Sequence, residues 1–83
     1  MQRDINIMYM NEQIDQLNKM IGIAISIQRQ MDRIKTTEEL IEKDMSHLFT
    51  PSLHITLTYQ KDKLKQLKID YNRARYYLKN YAI

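Results

Sequence analysis

From Leu53 to the C-terminus one series of side chains recurs in strict steps of four and three: Leu53, Leu57, Gln60, Leu64, Leu67, Tyr71, Ala74, Leu78 and Tyr81. Heptad spacing of this kind keeps every member on one face of a helix, and a face of that length needs a cover of similar length. Gln60 is the single polar member, so the series defines a helix over about residues 51–81. Thr50-Pro51 marks its start, because threonine is a good cap and proline loses nothing in a first turn where its missing amide would have no partner.

A second series supplies the cover. Ile7, Met10, Ile14, Leu17, Ile21, Ala24 and Met31 follow the same alternation, broken only at Gln28. Met20, Ile27 and Ile34 share an adjoining heptad position, so this helix, expected over about residues 4–35, carries an apolar face wide enough to touch two neighbours. Between the two lies Thr36-Thr37-Glu38-Glu39, whose threonine-to-glutamate spacing is that of a capping box; it predicts a short helix over about residues 37–47 that turns Leu40, Ile41 and Met45 inward. The expected fold is all-α: a long antiparallel, coiled-coil-like helical hairpin with a short connecting helix, three helices in a single domain covering residues 1–83.

Two stretches compete with that reading. Residues 21–27 and 53–59 alternate with period two and are rich in β-branched side chains, as strands are. The heptad steps nevertheless run through both without losing register, and neither stretch has turn residues at both ends. One glycine and one proline in the whole chain also leave too little punctuation for a multi-loop fold. Charge favours the antiparallel arrangement: residues 1–50 carry six basic and eight acidic side chains, and residues 51–83 carry seven and two. Folding the chain back is expected to bring Arg73, Arg75 and Lys79 near Asp4, Glu12 and Asp15.

Composition narrows the function classes. A chain of 83 residues buries little more than about 60% of the surface its unfolded form exposes, and without cysteine it has neither a disulfide nor a thiolate metal site to compensate. Self-association is the remaining common device, and a homo-oligomer, with a dimer favoured, is expected. The longest apolar run, Met20 to Ile27 with Gly22 and Ser26 inside it, is far short of the roughly 20 residues that cross a bilayer. The start Met1-Gln2-Arg3-Asp4 does not read as a signal peptide, so the expected location is cytoplasmic, the host cytoplasm if the chain is viral. No nucleophile with a base, no paired carboxylates and no phosphate-binding glycine loop are legible, so the chain is expected not to be an enzyme and to need no cofactor. His47 and His54 flank the Thr50-Pro51 turn without a ligand spacing and read as surface histidines, leaving no metal site.

Two sets of residues are candidates for function. Ile55, Ile69, Tyr76 and Ile83 share the heptad position directly opposite the seam, interrupted by Asp62, and with Tyr77 they form the expected oligomer and partner interface. Leaving several such side chains in water forgoes roughly 1.5 to 3 kcal/mol each. The leading expectation is a small protein-protein interaction module, an adaptor, co-chaperone or phage-type inhibitor. Its plan resembles many small helical-hairpin adaptors, secretion co-chaperones and phage-encoded inhibitors, a likeness of fold that does not fix function. The alternative is a nucleic-acid-binding regulator, in which Lys61, Lys65, Lys68, Arg73, Arg75 and Lys79 meet phosphates beside the C-terminal tyrosines. These cations are expected to spread around the helix and not to form one face.

Overall fold

The computed structural model describes the backbone of residues 2–81 and the side chains of residues 10–80. It contains two helices, α1 (Gln2–Lys43) and α2 (Thr50–Tyr81), which lie antiparallel as a hairpin. No strand occurs among the described residues, so both period-two stretches are helical. The hairpin is a rod of 69 × 15 × 14 Å with a radius of gyration of 19.2 Å, against about 12 Å for a compact chain of this length.

Among the described residues there is no third helix. The expected break at Thr36-Thr37-Glu38-Glu39 is absent, and α1 runs through it to Lys43. The reason lies in the threonine hydroxyls. Thr36 Oγ1 donates to the Asp32 carbonyl and Thr37 Oγ1 to the Arg33 carbonyl, each at 3.0 Å and four residues back, so both serve the existing helix instead of capping a new one.

The seam of α2 is as the spacing predicts: Leu53, Leu57, Gln60, Leu64, Leu67, Tyr71, Ala74 and Leu78 are all buried or half-buried, while the side chain of Tyr81 lies outside the described residues. The seam of α1 is not. The residues turned toward α2 are Gln13, Gln16, Met20, Ile23, Ile27, Gln30, Ile34, Thr37 and Ile41, all half-buried or buried. The expected series is displaced about 100° around the axis, one residue's rotation, and its described members Met10, Ile14, Leu17, Ile21 and Met31 are between 47% and 59% exposed. A hairpin closes most readily beside its turn, where the intervening loop is shortest. There only the observed series stays largely apolar, through Ile34 and Ile41, whereas the expected one would continue through Lys35, Glu38 and Glu42.

A single seam between two helices makes a thin core. Leu57 and Ala74 are its buried apolar residues, and Gln30 (2% exposed) is buried more deeply than either. Gln30 Nε2 donates to the Gln60 carbonyl at 3.0 Å, and Thr37 Oγ1 lies 2.8 Å from Gln60 Oε1. The Thr37 hydroxyl has one proton, so it serves Gln60 and the Arg33 carbonyl one at a time. Gln30 Oε1 accepts a long bond of 3.5 Å from Arg33 Nη1. No buried side-chain nitrogen or oxygen among the described residues lacks a partner. A satisfied polar layer in an apolar seam fixes register at some cost in stability.

The turn is held by one carboxylate. Asp44 Oδ2 accepts the Phe49 amide at 2.9 Å and the Thr50 hydroxyl at 2.8 Å, and Asp44 Oδ1 accepts the Ser46 hydroxyl at 2.9 Å. The Leu53 amide donates to the Phe49 carbonyl at 2.9 Å, so the cap of α2 sits at Phe49, one residue before the expected Thr50, and Asp44 reaches across the turn to supply the acceptor that Phe49 lacks. His47 completes the reversal with φ of 55°, in the left-handed region that histidine enters more readily than most residues. Partial loss of water around Asp44 pushes its carboxyl up, but the hydrogen bonds from Thr50, Ser46 and the Phe49 amide outweigh this and hold it below the ordinary aspartate value.

Two outcomes are expected. Replacing the layer together (Gln30→Leu, Thr37→Val, Gln60→Leu) should raise stability by about 1 to 3 kcal/mol in urea melts while giving more than one set of amide NMR signals, since sliding is no longer opposed; Gln60→Leu alone should lower stability by about 1 kcal/mol, because Thr37 loses its side-chain partner across the seam while Gln30 keeps the carbonyl of residue 60. A single clean spectrum from the triple variant would show that the layer does not set register. For the turn, the depressed Asp44 pKa means its contribution is present above the unfolded value of about 3.9 and is lost as pH falls through the lower folded value. Melting temperature should therefore drop on acidification below about pH 4, and Asp44→Asn should lie below wild type at neutral pH while showing a flatter acid limb.

Candidate functional site

With the seam at heptad positions a and d, the register decides which residues share a side of the rod. On one flank, Tyr77 of α2 lies across from Glu12 of α1, its hydroxyl donating to Glu12 Oε2 at 3.1 Å. That flank also holds a shallow hollow lined by Gln16, Lys19, Ile23, Asp70, Arg73, Ala74 and Tyr77. These contacts place position g of α1 beside position g of α2, as in other antiparallel pairs, and so place the e positions together on the opposite flank. Arg73 reaches the N-terminal half beside Gln16 and Lys19, and it is Tyr77 that is seen to bond Glu12 there.

The opposite flank has a different character on each helix. From α1 it receives positions b and e: Met10, Ile14, Leu17, Ile21, Ala24 and Met31, every one exposed. This is the apolar series that the sequence suggests for the seam, now without an intrachain partner. It extends for about 32 Å at 1.5 Å per residue. From α2 it receives Lys61, Lys65, Lys68, Arg75 and Lys79, also exposed and also at b and e. Five of the six expected nucleic-acid contacts therefore form one line, and only Arg73 departs from it. Of the seven basic residues of α2 expected to spread around the helix, Lys63 and Arg73 do point to the other side, while the remaining five share this line in steps of three and four.

Three residues of the expected interface on α2 are exposed. Ile55 is 73% exposed, Tyr76 63% and Ile69 38%. Ile83 lies outside the described residues. Tyr77 does not belong with them, being half-buried against α1 through Glu12. Ile69, Asn72, Arg73, Tyr76 and Tyr77 border a shallow depression on this outer surface. No short helix or returning segment covers the stripe. The free tip of the hairpin is apolar as well, with Met45, Leu48 and Phe49 exposed; sequence reasoning assigned Met45 to the core, and the missing connecting helix leaves it in solvent.

Among the described residues no group of three or more histidines and carboxylates is gathered as a metal would require, and no helix is long and apolar enough to cross a membrane. No protein-family model, curated protein or solved structure matches the chain. The class defined by the coordinates is thus the fold alone, an all-α antiparallel hairpin.

The two apolar series of α1 are separable by experiment. Ile21→Glu should leave the melting temperature of the isolated chain nearly unchanged, within about 0.5 kcal/mol as for other surface changes, while Ile27→Glu should unfold it, as circular dichroism would report. Equal damage from both would mean that the b and e series is also packed within one chain.

Proposed function

We propose that this chain is a non-enzymatic protein-protein interaction module, a helical hairpin that docks further helices on the faces its own fold leaves open. The observation that carries the reading is the second heptad series of α1, continuous from Met10 to Met31 apart from Gln28 and unmatched within the chain. Area supports it. The chain exposes 7067 Å² for a mass of 10.1 kDa, where a compact monomer of that mass exposes about 5,300 Å². The excess of about 1,800 Å² is more than twice the roughly 800 Å² that one partner contributes to a standard interface.

Self-association belongs to this reading, and the outer line of α2 is its surface. Ile55, Ile69 and Tyr76 point away from α1, with Lys65 and Lys79 along one border of the line and Arg73 on the other. Size-exclusion chromatography with light scattering at two concentrations tests it. Wild type is expected above monomer mass, and Ile69→Asp should return it to monomer with helicity intact. A wild type that stays monomeric at both concentrations removes the oligomer from the proposal.

Nucleic acid is the second reading, favoured by the single line of Lys61, Lys65, Lys68, Arg75 and Lys79. Against it stands the apolar stripe on the same flank, which offers phosphates nothing. The ultraviolet absorbance ratio across the same chromatographic peak separates the two, since a nucleic-acid binder carries its ligand through purification.

A further inference from the structure

On the flank opposite Tyr77 and Glu12, a hydrophobic line from α1 and a cationic line from α2 border one groove. The register set by Gln30 with Gln60 and by Glu12 with Tyr77 puts Leu17 roughly level with Arg75, Ala24 with Lys68 and Met31 with Lys61. A helix laid along this groove would touch both lines over its whole length, as the third helix of a three-helix bundle does. We propose that the groove is a docking site for an amphipathic helix of another protein, one with an apolar stripe in steps of three and four and carboxylates along the edge that faces α2. This rests on the reading of the chain as a protein-interaction module and supplies the chemistry of the partner.

Charge selects this occupant over the others. A second copy pairing its α1 stripe antiparallel with this one would bring the two α2 helices side by side, each presenting Lys61, Lys65, Lys68, Arg75 and Lys79 to the same line on the other. Like charges at that spacing oppose the pairing. An anionic bilayer would accept the apolar side chains and the lysines together, but the stripe's far edge, heptad position f of α1, holds Asn11, Asn18, Ile25, Asp32 and Glu39, two of them acidic and none basic. An interfacial helix carries a polar face rich in Lys and Arg, whereas the polar residues at this edge of α1 are asparagines and carboxylates. Nucleic acid uses the cations and wastes the stripe. A helix with one acidic edge uses both lines and leaves Asp32 and Glu39 in water.

The closing experiment uses the full chain and designed probes. Three helical peptides of about 22 residues, the length of the stripe, share a leucine stripe and differ at the edge residues, which are Glu, Gln or Lys. Binding is read by fluorescence anisotropy alongside phosphatidylserine vesicles and a DNA duplex. The Glu-edged peptide should bind best, about 10-fold or more over the Gln-edged one, weaken with added salt, and lose a similar factor with Lys61→Glu/Lys68→Glu/Arg75→Glu. Those positions are exposed, so circular dichroism should show the hairpin intact. Leu17→Glu/Ile21→Glu should abolish binding of all three peptides. Equal binding of Glu-edged and Gln-edged peptides overturns the acidic partner and leaves helix docking standing. Binding of none of the peptides overturns both, and stronger binding to the vesicles or the duplex assigns the groove to that ligand instead.

Discussion

Gln60 fixes the height at which α2 lies along α1. Its backbone carbonyl is held by Gln30 and its side-chain amide by Thr37, so a slide of one heptad would part both contacts. Each such loss costs about 1 to 3 kcal/mol, comparable to what several half-buried aliphatic contacts along a two-helix seam contribute. Apolar contacts alone would not choose so firmly, because leucines and isoleucines repeated every seven residues meet equivalent neighbours after a seven-residue shift. Everything on the outer surface inherits this choice, including which cations of α2 stand level with the exposed stripe of α1.

The same constraint explains what the sequence shows and what it conceals. The seam of α2 is legible because only one of its faces is continuously apolar. In α1 two faces qualify, one more hydrophobic and one better matched to its neighbour, and counting apolar residues favours the former. The deciding signal is local: beside the turn Ile34 and Ile41 continue one series while Lys35, Glu38 and Glu42 end the other. Gln30 and Thr37 look like defects until Gln60 is placed opposite them. The third helix fails for a related reason. A capping box works only where the chain is already leaving helical geometry, and Thr36 and Thr37 instead bond back to the carbonyls of Asp32 and Arg33.

Of the candidate site, the outer line of α2 could be read from spacing, and Ile55 and Tyr76 stand where it places them. Tyr77 could not, since its half-buried position depends on which side of the seam faces Glu12. The cationic line also required the register: Lys61, Lys65, Lys68, Arg75 and Lys79 belong together only once positions b and e are assigned. Its neighbour, the apolar stripe, was visible in the sequence from the start but as the wrong thing, a core and not a surface.

A two-helix rod with a single seam leaves much of its surface in water. The chain would expose about 14,600 Å² unfolded and keeps 7067 Å² exposed when folded, so only about half of its surface leaves water. Docking a further helix would supply much of the missing burial, and affinity and stability would rise together because a ligand that binds only the folded form stabilises it. What keeps this from becoming wholly coupled folding is the turn. Asp44 joins the end of α1 to the start of α2 through Phe49, Thr50 and Ser46, which keeps the two helices side by side and the groove between them formed before any partner arrives. In the proposed docking, a partner helix would lose its own freedom on binding without also having to order the hairpin, and that difference separates a preformed groove from a pair of helices that meet only when a third is present.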